Sequence, residues 1–238
     1  MMHNSYFRFK QFIIHQDACA MKVCTDACIL GAWFAEKIPS YSLILDAGSG
    51  TGLLMFMLAQ KSKAEIHGIE IDFDAHKQSK ENINENKLKD RMKVFPGDFR
   101  EYSFPEKYDF IISNPPFFEA SLQSVTDKKN IAKHSKELTL GELIQAIDKN
   151  LKPTGSFGVL LPYDRSEYFE ELASRNNFYL KEKLIVKQTP EHDYFRTIMH
   201  FLRIKNASPD KYELMVLNND GDYTDEFIEL MKDYYLNL

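Results

Sequence analysis

Four residues near the middle of the chain, Asn114-Pro115-Pro116-Phe117, carry the acceptors and the flat face needed to hold a planar amine. Each proline fixes its own φ at about −65° and removes an N–H donor, while its carbonyl stays available. An amino group conjugated to a ring or a carbonyl is a poor nucleophile, because its lone pair is delocalised. The Asn114 side-chain oxygen and the Pro115 carbonyl can accept its two hydrogens. The lone pair is then aimed at an electrophile, and positioning supplies most of the catalysis. No strong base is needed before the bond forms, since the proton can leave afterwards. Pro116 stiffens the turn. Phe117, with Phe118 beside it, offers an apolar face for a planar substrate, as in the stacking of unpaired bases on aromatic side chains.

A second constellation lies upstream, at Asp46-Ala47-Gly48-Ser49-Gly50-Thr51-Gly52. Glycines let a backbone turn tightly and come close to a ligand. A dinucleotide fingerprint needs Gly-x-Gly-x-x-Gly. Counted from Gly48, the last position is Leu53, so that pattern fails. The Gly-Lys-Ser/Thr ending of a phosphate-binding loop is absent as well. Gly48, Gly50 and Gly52 after an acid instead resemble the cofactor loop of class I methyltransferases, which implies S-adenosylmethionine. Asp46 would then receive the amino-acid end of that cofactor. Glu70 follows about 20 residues on, where a carboxylate can accept both ribose hydroxyls. Asp98, in Pro96-Gly97-Asp98-Phe99, is placed to accept from the adenine amino group, with Phe99 packing near the ring. Taken singly, these acids could be a helix cap, a solvated strand end and an Asx-turn. Their joint occurrence after successive strands favours the cofactor reading. Asn114, which ends the fourth strand, also faces this site.

These residues must sit at the ends of strands. Leu43-Ile44-Leu45, Ile66 to Glu70, Met92 to Phe95, Phe110 to Ser113 and Phe157 to Leu161 are short apolar runs that read as buried parallel strands. Helices are predicted over Thr51 to Gln60, Asp74 to Lys87, Leu138 to Leu151 and Asp164 to Arg175, the last capped by Asp164. Later, Leu180 to Gln188, Thr197 to Lys205 and Tyr212 to Leu217 follow one another as strands before a closing helix, Tyr223 to Tyr234. The pattern predicts a doubly wound, mostly parallel α/β sheet, Rossmann-like, with an antiparallel C-terminal edge. Residues 1–40 form a short N-terminal extension over the open end of the sheet, and 41–238 one compact domain.

The 238 residues, 44% of them hydrophobic, suit one such domain. No apolar run is long enough to span a bilayer, and the first ten residues hold no signal-peptide core. The expectation is a cytoplasmic monomer without membrane or metal. The net charge of −5 does not announce a nucleic-acid binder, yet Lys128, Lys129, Lys133 and His134 crowd together after the Asn-Pro-Pro-Phe element. They are either a solvated loop or phosphate contacts to RNA. Three cysteines, Cys19, Cys24 and Cys28, match no zinc spacing even with His15 and read as small thiols.

The Asn-Pro-Pro-Phe element alone leaves the amine open. Adenine methyltransferases usually carry tyrosine at its fourth position. Similar elements serve rRNA guanine-N2 methyltransferases and enzymes that methylate a protein glutamine. An inactive partner subunit is a further reading, against which the intact element argues. The N-terminal segment decides. Phe7-Arg8-Phe9-Lys10-Gln11-Phe12, then Met21-Lys22-Val23-Cys24-Thr25-Asp26-Ala27, then Leu30-Gly31-Ala32-Trp33 resemble the signature of the valine-tRNA adenine-N6 methyltransferases, which modify adenosine 37 beside the anticodon. The resemblance covers nearly the whole chain, to Asp233-Tyr234-Tyr235-Leu236. It implies a tRNA substrate, and it puts Lys22, Thr25 and Asp26 near the methionine end of the cofactor. Cys24 and Ala27 stand where that family usually has glycine, and Phe117 where it has tyrosine.

Overall fold

The computed structural model describes residues 5–19, 21–38, 42–116 and 138–238. A hairpin of β1 (Tyr6–Arg8) and β2 (Ile13–His15) comes first, then α1 (Thr25–Ala35). Strands and helices next alternate: β3 (Leu43–Ala47), α2 (Leu53–Lys61), β4 (Glu65–Glu70), α3 (Phe73–Asn84), β5 (Met92–Pro96) and β6 (Tyr108–Ser113). After the segment outside the description come α4 (Leu140–Asn150), β7 (Leu151–Pro162), α5 (Ser166–Arg175), β8 (Tyr179–Lys187), β9 (Tyr194–Leu202), β10 (Asp210–Met215) and α6 (Asp225–Met231).

Eight strands form one sheet in the order β10-β8-β9-β7-β6-β3-β4-β5. The chain winds outward from β3 in one direction through β4 and β5, then returns to β6 on its other side. Ligand crevices in such sheets open at this reversal, beyond the carboxyl ends of the strands. Both faces are covered, so the strands are apolar on both sides. Ile44, Phe110, Ile112 and Leu160 face the core shared with α1 and α2. Leu45, Ile111, Phe157 and Val159 face the one shared with α4 and α5. This period of two is what the continuous apolar runs encode.

Several boundaries depart from expectation, each for a local reason. The antiparallel direction expected at the C-terminal edge belongs to β9 alone, which lies inside the sheet between β7 and β8. The outermost strand, β10, runs parallel to β8. The short link from β8 to β9 forces those two to be antiparallel neighbours. Asp164 does not cap α5: it lies in a 3-10 turn, Tyr163–Arg165, which puts Arg165 in the cap position, where its side chain makes no cap bond to the helix amides. α4 ends at Asn150 and β7 starts directly at Leu151, with a register shift against β6 between Tyr108 and Phe110. Two unpredicted caps are well made. Thr139 and Glu142 form a capping box on α4, and Asp72 accepts from the Ala75 amide at the head of α3.

The described residues before β3 pack into the body of the protein. α1 lies against α2 and shares its apolar core. Phe34 of α1 rests directly over Gly158 of β7, where an added Cβ would stand 2.3 Å from the ring. The β1–β2 hairpin, legible only as an aromatic and basic stretch, is tied to α3 by Asn82, which bonds both the His15 amide and its carbonyl at 3.0 Å. At the far end of α1, Lys37 reaches Glu182 of β8 at 2.7 Å, and His200 of β9 meets the same carboxylate at 3.0 Å. Burial alone would raise the Glu182 pKa. The bonds and charges of His200 and Lys37 outweigh it and hold the group at about 2. No helix among the described residues is long and apolar enough to cross a membrane.

Two stability outcomes follow from this packing. Gly158→Ala drives a methyl into Phe34 and should cost about 1–3 kcal/mol in urea unfolding, the range for overpacked cores. Glu182 has a depressed folded pKa, so its contribution is present above the ordinary glutamate value and is lost as the pH falls towards about 2. The stability gap between the native chain and Glu182→Gln should therefore narrow steadily from pH 5 down to pH 2.5. A gap independent of pH over that interval would refute this account.

Candidate active site

β3 delivers the chain to a loop that only glycine can follow at two points. Gly48 (φ 80°) and Gly50 (φ 53°) lie in the left-handed region. At both, the space a side chain would fill holds no atom within 4 Å, so the backbone itself faces open volume. The loop is sewn to β4. The Gly48 and Ser49 amides both donate to the Ile69 carbonyl at 3.0 Å. The Gly50 amide donates to Glu70 Oε2 at 2.8 Å, and the Asp72 amide to Glu70 Oε1 at 2.8 Å. The Gly97 amide, from the loop after β5, donates to the Glu70 carbonyl at 2.9 Å. Three loops thus converge on one residue.

They frame a cavity of about 600 Å³ at the carboxyl ends of β3, β4, β5 and β6. Of the predicted site residues, Lys22, Gly48, Gly50, Glu70, Asp98, Phe99, Asn114 and Pro116 line it. Asp98 is held by Arg100, whose Nε lies 3.0 Å from both carboxylate oxygens and whose Nη2 lies 2.6 Å from Oδ2. That guanidinium keeps the Asp98 carboxyl below its usual range. Arg100 also reaches Glu142 of the α4 capping box at 3.1 Å. Phe99 is buried in the core beside the cavity wall. The Asn114 side chain follows β6 with its Oδ1 sheltered from water and, among the described residues, without a hydrogen-bond partner. Pro115 is buried behind the wall, and Pro116 is exposed.

Thr25, Asp26, Asp46 and Gly52 do not line the cavity. Gly52 is the residue from which α2 starts. Asp46 is wholly buried, and neither of its carboxylate oxygens has a partner. Burial, and then the charge of Glu70, pushes its carboxyl well above the usual range. Asp26 turns away to Arg196 of β9, with Nε to Oδ2 at 2.7 Å. This ion pair pins the start of α1, so that Met21, Val23, Cys24 and Ala27 form one wall. Phe117, Phe118, Lys128, Lys129, Lys133 and His134 lie outside the described residues.

Arg100 is the functional side chain that sequence reasoning missed. Its signal was a guanidinium two residues beyond a cavity acid on the same short loop. Met21 and Ile71 also escaped notice, because exposed apolar residues are common and carry no pattern. Of the three thiols, Cys24 and Cys28 are pushed up to about 12, mainly by burial, which keeps them protonated and unreactive.

Comparison with known proteins shows the family and the fold. The family described as "Methyltransferase small domain" matches residues 29–161. A curated protein of Dyadobacter fermentans named tRNA1(Val) (adenine(37)-N6)-methyltransferase is 43% identical, over 99% of both chains. One of the same name from Bacteroides fragilis is 38% identical over the full length of each. Among solved structures, a predicted O-methyltransferase of Agrobacterium tumefaciens aligns with a TM-score of 0.67 at 14% identity, over 90% of this chain and 100% of that one. TYW2 of M. jannaschii, in complex with AdoMet, aligns with a TM-score of 0.59 at 17% identity, over 84% of this chain and 86% of that one. The distant structures share the fold, while the close relatives match from end to end: the chain belongs to the tRNA1(Val) (adenine(37)-N6)-methyltransferase family.

Proposed function

We propose that this chain transfers a methyl group from S-adenosylmethionine to the N6 of adenosine 37 in valine tRNA. One observation carries the reading: Asn114 Oδ1, a sheltered acceptor without a partner, stands in the wall of a cavity whose other end offers Glu70 and Asp98. A buried polar atom left unpaired is costly, so a bound donor is its natural complement. The names of the full-length relatives supply the substrate.

The residues present fit the cofactor. Bare backbone at Gly48 and Gly50 leaves room for close approach of its amino-acid end. The Glu70 carboxylate, fixed by two amides, keeps lone pairs for the ribose hydroxyls. Asp98, oriented by Arg100, keeps one for the adenine amine. Lys22 reaches the cavity from the N-terminal wall. When bound, S-adenosylmethionine supplies a methyl carbon made electrophilic by its sulfonium. Asn114 Oδ1 and the Pro115 carbonyl accept the two hydrogens of the target amine and thereby orient its lone pair. The proton departs to water after transfer, so no side chain need act as a strong base. In this reading residues 1–40 are the N-terminal extension of a methyltransferase domain spanning 41–238. Phe117 and Phe118 stack the base, and Lys128, Lys129, Lys133 and His134 meet phosphates. The enzyme acts as a cytoplasmic monomer on tRNA, without a metal.

Nucleoside analysis of tRNA from a strain lacking the gene should show loss of N6-methyladenosine, restored by the purified enzyme in vitro. Unchanged N6-methyladenosine, with loss of N2-methylguanosine from rRNA, would sink the adenine assignment. Asn114→Ala should lower kcat about 10²-fold or more, as for loss of one positioned hydrogen bond at a reacting centre. Its cofactor affinity, read by calorimetry, should stay within a few-fold of the native value.

A further inference from the structure

The sheet register carries the site beyond the cavity. β6 and β7 are parallel neighbours, with Ser113 opposite Val159. Asn114-Pro115-Pro116 therefore leaves the sheet level with Leu160 to Pro162. Tyr163 follows at once, at the carboxyl end of the neighbouring strand. β9 runs antiparallel to β7 with Arg196 opposite Pro162, which brings Tyr194 up to Tyr163. Their ring centroids are 5.0 Å apart at 42°. Tyr194 is half-buried and braced from two further sides. Its hydroxyl donates to Glu213 at 2.8 Å, and the Lys187 ammonium sits 5.3 Å from its ring centroid. Tyr163 is 39% exposed on top of this support. A tyrosine that keeps so much surface in water contributes little to folding, yet its orientation is fixed by the ring beneath.

We propose that Tyr163, buttressed by Tyr194, is a stacking platform for an unpaired nucleotide of the RNA next to the target adenosine. The proposal rests on the reading of the site as an RNA methyltransferase. Its physical basis is continuity. A base whose amine is held by Asn114 is covalently joined to its neighbours, which must cross the rim of the cavity. The glycine loop with Glu70 and Asp98 lines part of the cavity, and Met21, Lys22, Val23, Cys24 and Ala27 another part. The carboxyl end of β7 lies beside that of β6 in the sheet, and Tyr163 is the exposed aromatic there. Stacking on a tyrosine accepts any base, as an anticodon loop opened beside the target requires. Asp164, Glu191 and Asp193 are exposed around the pair, against Lys187 and Arg165. The patch is thus not a polyanion sink, and ring stacking is the attraction it offers. The same acids disfavour loose binding of other RNA segments.

The test compares tRNA affinity by fluorescence anisotropy, KM for tRNA, and cofactor affinity across four proteins: native, Tyr163→Ala, Tyr163→Phe and Tyr194→Ala. Tyr163→Ala should weaken tRNA binding about tenfold and raise KM for tRNA correspondingly, within the range for loss of one stacked base. Tyr163→Phe should behave as native, since the ring suffices. Tyr194→Ala should lie between them, because the platform stays but its brace is lost. Cofactor affinity should be the same in all four. Native tRNA affinity and KM in Tyr163→Ala, with native methylation intact, would overturn the platform alone. A native enzyme that neither binds nor methylates tRNA would overturn the function and the platform together.

Discussion

The hydrogen bond from the Gly50 amide to Glu70 ties down the whole ligand-binding end of the sheet. It joins the two amide bonds to the Ile69 carbonyl in fixing a loop whose Gly48 and Gly50 present no side chains to pack. The same carboxylate takes the Asp72 amide, which sets the turn into α3, and the Glu70 carbonyl takes Gly97 from the β5 loop. A single strand end therefore registers three connections against one another. Hydrogen bonds to an ionised acceptor are the strong ones, and this carboxylate is nearly withdrawn from water. The arrangement leaves the outward lone pairs of Glu70 in place before any ligand arrives. That is preorganisation in its plainest form.

Behind that loop lies a less comfortable feature. Asp46 is buried with neither oxygen paired, a few residues from Glu70 in space, and burial strongly favours its protonated form. Two acids in one small apolar volume cannot both carry charge cheaply. The structure separates their tasks by environment: Glu70 has amide donors, and Asp46 has none. The N-terminal wall is fixed by a comparable division. Asp26 points to Arg196 rather than into the cavity, and holds the chain whose neighbours Lys22 and Cys24 do line it.

Much of this was legible in the sequence because the period-two pattern and the glycine spacing are local signals. The strands β3 to β7 and the placement of Gly48, Gly50, Glu70, Asp98 and Asn114 at their ends could be read directly. What escaped was set by partners far away in the chain. Asp26 looked like a cavity residue until Arg196, 170 positions on, claimed it. The interior place of β9 depends on the order in which late strands join the sheet, which no local pattern encodes. Asp164 had the right chemistry for a cap and the wrong backbone, because the chain makes a 3-10 turn there first. The β1–β2 hairpin is held by Asn82 and buried aromatics rather than by its own three-residue strands, too short to show alternation.

One guanidinium, that of Arg100, is shared between Asp98 and the Glu142 of the box that starts α4. In thermodynamic terms the two ends of this arrangement are linked functions. Whatever strengthens the hold of Arg100 on one carboxylate changes the free energy at the other by an equal coupling in both directions. Leu138, directly before that box, lines the cavity. The acid assigned to the cofactor's base and the cap of α4 therefore belong to one electrostatic unit. A change of charge or contact at Asp98 is thus felt at the head of α4.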